Sequence, residues 1–395
     1  MGKKPAKSRS TKQPRRRSHG GGASRASRDE ILAGLPAVDE LANVPGFGDV
    51  RPSDEQLAAF EGAQERVASR LGDGVAATLT LGCVVRLDRS FPLVTCDGVT
   101  LRAEHAVDFA KGAAAEAGIM PTVGDWVAVA VDPTHDMGVI HEVLPRRCAF
   151  ARWRGGKRGE FQTLAANLDK VIIVAALGEG ELALARIARS LVLVRDCGCR
   201  ASVVLTKADR KGTAEELECD VERVRRLAGE GVDVVVTSSA EGEGLDGVRA
   251  LVPERTIALI LGESGAGKST LLNALLGQDA LATAAVRECD DMGRHTTVAR
   301  MMVKLPGAGV ICDAPGLRSL PLVGHERGLA LAFPEIAELA GECRFRDCTH
   351  GEEPGCAVRE AEAAGELDGI RLEAYLALAA EMRRSADTLD PDVTL

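Results

Sequence analysis

Short apolar runs separated by turn residues occupy the chain between Ala77 and Cys148. These runs are Thr78–Val85, Leu93–Cys96, Val99–Arg102, Trp126–Val131 and Gly138–Val143. Each has the length of a strand, and about five short strands within about seventy residues predict a small barrel. An OB-fold is the leading candidate, and an SH3-like barrel would give a similar pattern.

The pattern changes past residue 165, where apolar strands alternate with amphipathic helices. The predicted strands are Val171–Leu177, Ala201–Leu205, Val234–Thr237, Ile257–Leu261 and Val310–Asp313, with a helix over Glu181–Arg195. This alternation predicts an α/β sheet that binds its ligand at the carboxyl ends of the strands. Helical patterns precede the barrel, including one over Asp54–Leu71, and return in the tail from about residue 325.

Charge is distributed unevenly along the 395 residues, whose net charge is −9. Residues 1–28 contain ten bases and no acid, so the rest of the chain is strongly acidic. A basic arm rich in Ser and Gly predicts disorder, and it could be either a nucleic-acid tether or a solubilising extension. No apolar run approaches the ~18 residues of a membrane span, and no apolar segment follows the basic residues as in a secretory signal. The irregular spacing of the eleven cysteines favours a reducing cytoplasm over a disulfide framework.

The strongest chemical signal follows the predicted strand Ile257–Leu261. It is a G-x-x-x-x-G-K-[ST] phosphate loop, formed by Gly262, Glu263, Ser264, Gly265, Ala266, Gly267, Lys268 and Ser269, and a helix from Thr270 follows it. Glycines allow backbone N–H groups to surround phosphates, and the helix adds its positive end. We expect Lys268 to reach the β- and γ-phosphates and Ser269 to bind Mg²⁺.

A second loop lies earlier in the chain. Thr206, Lys207, Ala208 and Asp209 follow a strand and resemble the guanine-reading [NT]-K-x-D signature. Asp209 can accept hydrogen bonds from guanine N1–H and the 2-amino group, which adenine lacks. Ser238, Ser239 and Ala240 follow another strand and resemble the loop that closes over guanine. Because ordinary GTPases place the phosphate loop first, this order predicts a circularly permuted GTPase domain.

Two further segments fit the switches of a GTPase. Asp313-Ala-Pro-Gly316 resembles switch II, in which Asp313 would hold Mg²⁺ through water and the Gly316 N–H would sense the γ-phosphate. Thr296 or Thr297, in a segment that looks like switch I, would complete the Mg²⁺ shell. Leu317 stands where many GTPases carry a water-orienting glutamine. His295 is the candidate substitute, and the alternative is that it only orders the loop.

The tail carries a set of soft metal ligands, Cys343, Cys348, His350 and Cys356. Three thiolates and one imidazole make a complete tetrahedral zinc shell, and such closed sets are structural. Earlier, residues 146–159 interleave Arg and Lys with Phe150 and Trp153 and contain no acid. That segment fits RNA backbone contact and base stacking, or alternatively a charged interdomain linker.

The order of these features resembles the bacterial ribosome small-subunit-dependent GTPase A family of circularly permuted GTPases. Further matches are Val123-Gly-Asp-Trp126, Ala166-Asn-Leu-Asp169 and Cys343-Arg-Phe-Arg-Asp-Cys348. The resemblance covers roughly residues 77–385. It implies GTP hydrolysis with Mg²⁺, stimulated by the small ribosomal subunit during its late maturation, and contacts of the barrel and zinc domain with ribosomal RNA.

The resulting prediction is a cytoplasmic, monomeric, multidomain protein. Its domains are a disordered basic arm (1–28), a helical lead-in (29–76), an OB-fold-like barrel (77–150), a circularly permuted GTPase domain (151–324) and a mainly helical zinc-binding domain (325–395). Thr206 departs from the family's commoner Asn, and we expect this to remove a brace on the phosphate loop. Two alternatives stay open: a zinc-bearing RNA-binding module that senses GTP/GDP without useful turnover, and a permuted GTPase that serves the large subunit.

Overall fold

An eleven-stranded sheet runs through the part of the chain that the computed structural model describes, which comprises residues 32, 34–88, 91–106, 120–132, 137–154, 160–178, 182–277, 300–313, 322 and 324–386. Met1–Ala37 and Val38–Leu395 form separate units, and the strands and helices given below belong to the second. Before the sheet, α1 spans Asp54–Leu71 and α2 spans Asp73–Ala76. Helix α1 begins where the sequence predicts, because Ser53 and Gln56 form a capping box.

The first five strands close into a barrel. They are β1 (Leu79–Asp88), β2 (Phe91–Cys96), β3 (Val99–His105), β4 (Trp126–Ala130) and β5 (Met137–Val143). Their order is β1-β2-β3-β5-β4, and β4 pairs again with β1. Strands β3 and β5 are parallel, and the other pairs are antiparallel. This five-stranded closed topology is that of the predicted OB-fold.

A two-stranded hairpin follows the barrel, with β6 over Ala149–Arg154 and β7 over Glu160–Ala166. The segment that fitted either an RNA contact or a linker therefore lies largely in this hairpin. Its first residues serve internal contacts, since Arg146 pairs with the fully buried Asp125 at 2.7 Å and Phe150 is buried. Arg147 pairs with Asp169. These three residues therefore make contacts within the protein, and the side chains of 152–159 lie outside the described residues.

The α/β half of the sheet has the strand order β10-β9-β8-β11-β13-β12. Its strands are β8 (Lys170–Ala176), β9 (Arg200–Thr206), β10 (Asp233–Val236), β11 (Ile257–Leu261), β12 (Arg300–Lys304) and β13 (Val310–Asp313). Its helices are α3 (Leu184–Asp196), α4 (Ala214–Ala228), α5 (Leu245–Ala250) and α6 (Lys268–Leu276). Only β12 is antiparallel to its neighbours in this half, and its pairing with β1 joins the α/β sheet to the barrel. The carboxyl ends of the parallel strands therefore share one edge, where ligands bind in such sheets.

Two short motifs from the sequence meet at the junction of barrel and α/β sheet. Gly124 adopts φ +89°, and a Cβ there would lie 2.0 Å from the Ala166 carbonyl oxygen, so the position requires glycine. The Asn167 side chain donates to the Gly124 carbonyl (2.9 Å) and accepts from the Arg147 N–H (2.8 Å) and from Gln56 (3.0 Å). These contacts bring the Val-Gly-Asp-Trp and Ala-Asn-Leu-Asp segments together in the fold.

The C-terminal region is helical, with α7 (Glu326–Ala332), α8 (Pro334–Ala340), α9 (Ala357–Ala364) and α10 (Gly369–Ala386). Arg371 of α10 is mostly buried and donates to the Leu227 carbonyl at the end of α4 and to the Ala332 carbonyl. It also forms a bidentate pair with Glu335. The helical tail is therefore anchored to the α/β domain. Within the described residues no helix has the length and apolar character needed to cross a bilayer.

Candidate nucleotide site and metal centre

The phosphate loop lies between the end of β11 and the start of α6. Gly265 and Gly267 have φ of +79° and +89°, which side chains rarely tolerate, and a Cβ on Gly262 would lie 2.5 Å from the Val174 carbonyl oxygen. The Lys268 ammonium donates to the Gly262 and Glu263 carbonyls at 2.7 and 2.6 Å. Ser269 and Thr270 lie exposed in the first turn of α6. The loop thus combines a positive helix end, an ammonium and an exposed hydroxyl, a combination suited to phosphates and Mg²⁺.

The two loops that occur in swapped order along the chain touch each other. The buried Thr206 hydroxyl donates to the Ala266 carbonyl at 2.7 Å, and the Lys207 ammonium donates to the Gly265 carbonyl at 2.5 Å. Lys207 has the left-handed φ of +60°, which turns the loop sharply at the end of β9. The expected loss of a brace at Thr206 is therefore wrong, because its hydroxyl links the guanine loop to the phosphate loop.

The Asp209 carboxylate is held beside the third loop. It lies in a 3₁₀ turn over Ala208–Arg210, and the buried Ser238 hydroxyl donates to its Oδ1 at 2.7 Å. The backbone of Ser238 exchanges two hydrogen bonds with Glu243, at 3.1 and 3.0 Å, which closes the loop that contains Ser239 and Ala240. A fixed carboxylate with its second oxygen unused by Ser238 is suited to reading two adjacent donors on a base.

Asp313 ends β13, directly beside the strand that leads into the phosphate loop, with Ile260 of β11 as its register partner. Burial raises the pKa of Asp313, and the nearby Lys268 charge opposes that shift. This carboxylate faces the cationic end of the loop, as a Mg²⁺-linked aspartate requires. Gly316, Leu317, His295, Thr296 and Thr297 lie outside the described residues, so their predicted roles stay predictions.

The four predicted zinc ligands come together. Cys343 and Cys356 have sulfurs 3.8 Å apart, and each sulfur lies 3.6 or 3.5 Å from His350 Nδ1. All four ligand atoms, including that of Cys348, lie within 4.8 Å of one another. A tetrahedron with Zn–S of about 2.3 Å and Zn–N of about 2.0 Å has edges of about 3.8 and 3.6 Å. The donor set and its spacing therefore fit a structural zinc ion.

The protonation of this cluster also suits a metal. Burial raises the pKa of the Cys343 thiol, but hydrogen bonds from the Val358 and Ala357 backbone and with the neighbouring cysteines together leave the pKa lowered. Burial lowers the pKa of His350, which favours the neutral imidazole that a metal requires. Burial raises the pKa of Cys348 to about 11, so zinc must displace that proton on binding.

One residue near the nucleotide site was missed from the sequence. Arg186 of α3 forms an ion pair with Glu263 of the phosphate loop, 77 residues away in the chain. The sequence offers a partial indication, since an acid within a loop that binds anions is electrostatically unfavourable unless a cation lies nearby. Its partner could not be identified without the fold.

The fold and these contacts define a P-loop GTPase in which the guanine loop precedes the phosphate loop, that is, a circularly permuted GTPase with an OB barrel and a zinc-type tail. The family described as RsgA GTPase matches residues 143–323. A small ribosomal subunit biogenesis GTPase RsgA of Streptomyces coelicolor is 46% identical over 84% of this chain and 88% of its own. Its counterpart from Opitutus terrae is 41% identical over 84% and 89%. The chain belongs to the RsgA GTPase family.

Solved structures agree with this assignment. YjeQ from Thermotoga maritima superimposes with a TM-score of 0.59 at 25% identity, covering 77% of this chain and 99% of its own. YloQ, described as a circularly permuted GTPase, has a TM-score of 0.57 at 22% identity, covering 78% and 96%. These matches confirm the fold class, and family membership confirms the resemblance and the assignment as a GTPase.

Proposed function

We propose that this protein hydrolyses GTP to GDP and phosphate, stimulated by the small ribosomal subunit, and acts in late maturation of that subunit. The observation that carries the proposal is the direct contact between the two loops, Thr206 to Ala266 and Lys207 to Gly265. A single nucleotide can then place its base on one loop and its phosphates on the other.

Each loop has a separate task. Asp209, held by Ser238, reads the guanine edge, while the stem of Lys207 lies across the base. Backbone N–H groups of the phosphate loop and the Lys268 ammonium hold the phosphates. Ser269, together with Thr296 or Thr297, would hold Mg²⁺, and Asp313 would contribute to that site through water. When bound, Mg²⁺ neutralises charge that develops on the β- and γ-phosphates. His295 is the proposed substitute for the glutamine that Leu317 replaces.

The proposed role of the zinc ligands is structural. His350 contacts Tyr375 of α10, whose Arg371 is tied to the end of α4. A zinc ion held by Cys343, Cys348, His350 and Cys356 would order the helical tail as a rigid surface beside the GTPase domain. We propose that this tail and the barrel contact ribosomal RNA, and that the protein works as a cytoplasmic monomer.

A phosphate-release assay with purified small and large subunits tests the proposal. We expect slow intrinsic hydrolysis that rises at least ten-fold with small subunits and is unchanged by large subunits. Lys268→Ala should abolish nucleotide binding, because the loop loses its only side-chain cation. Nucleotide binding without acceleration by either subunit would favour a nucleotide-sensing RNA-binding module. Acceleration by large subunits alone would assign the protein to that subunit.

A further inference from the structure

The phosphate loop contains an acidic residue, Glu263, whose negative charge disfavours the binding of phosphates. Glu263 is the second residue of the loop, and its carboxylate side chain is 46% exposed, beside the backbone that would surround the phosphates. At a separation of about 8 Å in a water-like dielectric and at low ionic strength, one unit charge changes binding about two-fold for each phosphate charge. Left alone, Glu263 would therefore weaken the binding of GTP more than that of GMP.

Arg186 supplies the compensating charge. Its guanidinium contacts the Glu263 carboxylate, and the two residues line one cavity of about 220 Å³ between β8, α3 and the phosphate loop. The floor of this cavity is apolar, with Ile173, Leu182 and Ile187 among the residues that form it. The ion pair thus links α3 to the phosphate loop across the cavity.

The position of Arg186 is unfavourable for its own helix. It lies in the first turn of α3, which has no acid in that turn and no side-chain cap. A cation there faces the positive end of the helix dipole, which destabilises the helix. The stability of α3 therefore does not explain why residue 186 is an arginine. The ion pair with Glu263 of the phosphate loop does explain it.

We infer that Arg186 is a positioning residue for nucleotide binding: it neutralises Glu263 and holds the phosphate loop against α3. The inference rests on the proposed GTP site and goes beyond it, since Arg186 lies outside every motif that defines that site. It predicts an effect that grows with the number of phosphates on the ligand.

Titration calorimetry with GMP, GDP and GTP tests the inference on the full chain. The variants are Arg186→Ala, Arg186→Lys, the double variant Arg186→Ala with Glu263→Gln, and the control Arg189→Ala. Arg189 is one turn along α3 and pairs with Glu381 of α10 instead. We expect Arg186→Ala to weaken GTP about twenty-fold, GDP about ten-fold and GMP about five-fold, with smaller losses at high salt.

The other variants separate charge from packing. Arg186→Lys should retain most of the affinity, and Arg189→Ala should bind like the wild type. The double variant should recover the charge-dependent part of the loss, so that any remaining loss is the same for all three nucleotides. Wild-type affinity in Arg186→Ala would overturn the inference and leave the proposed function intact. An equal loss for all three nucleotides, unrelieved by Glu263→Gln, would also overturn it, because it would indicate a purely structural role. A wild-type protein that binds no guanine nucleotide would overturn the proposed function and this inference together.

Discussion

Replacing Asn167 tests how the barrel is fixed to the GTPase domain. The side chain is 4% exposed and makes three hydrogen bonds, to Gly124, Gln56 and the Arg147 backbone. Each buried bond contributes about 1 kcal/mol. The residue also has φ +55°, where alanine costs about 1 kcal/mol more than glycine. We therefore expect Asn167→Ala to lose about 4 kcal/mol of unfolding free energy and Asn167→Gly about 3 kcal/mol.

Urea unfolding followed by tryptophan fluorescence measures both variants. Trp126 is fully buried two residues from Gly124, so its emission reports on this junction. The pair of variants separates the lost hydrogen bonds from the backbone conformation, because glycine removes the same side-chain bonds without the left-handed penalty. Wild-type stability in Asn167→Ala, or a glycine variant less stable than the alanine variant, would refute this reasoning.

Three further changes have defined outcomes. Thr206→Val removes the 2.7 Å bond to Ala266 at nearly constant volume, so GDP should dissociate about five-fold faster in stopped-flow fluorescence, whereas Thr206→Asn should release it at the wild-type rate. Cys356→Ser should lower the zinc content measured by mass spectrometry from one ion per chain towards zero and reduce the thermal midpoint, and an unchanged content would contradict the ligand set. Arg371→Met should destabilise the chain by about 3 kcal/mol in urea, because the Leu227 carbonyl and Glu335 lose their partner; equal stability would contradict that role.

Local patterns were predictable from the sequence because their causes are local. The capping box of Ser53 and Gln56 fixes the start of α1, and the strand before the phosphate loop follows from a continuous apolar run. The order of the guanine and phosphate loops sufficed to predict a permuted GTPase, which family membership supports.

Contacts between distant segments were not predictable. The segment of residues 146–159 was expected to be a linker or an RNA contact, because the sequence does not show that Arg146 pairs with Asp125. Thr206 was expected to remove the brace that the commoner Asn supplies to the phosphate loop, and only the path of that loop shows that a hydroxyl can form one. Arg186 and Glu263 lie far apart in the sequence, and they meet only because β8, which precedes α3, pairs with β11, which precedes the phosphate loop. The predicted domain limits remain predictions.

Whether both loops hold one nucleotide is tested most directly by base preference in Asp209→Asn. Guanine offers two donors to the Asp209 carboxylate, whereas xanthine replaces the 2-amino group by a carbonyl that an asparagine amide can bind. We expect the variant to bind GTP at least a hundred-fold more weakly and to bind xanthosine triphosphate more tightly than the wild type does. Adding Lys268→Ala to the variant should abolish the binding of both nucleotides. An Asp209→Asn protein that still prefers GTP would show that this loop does not read the base.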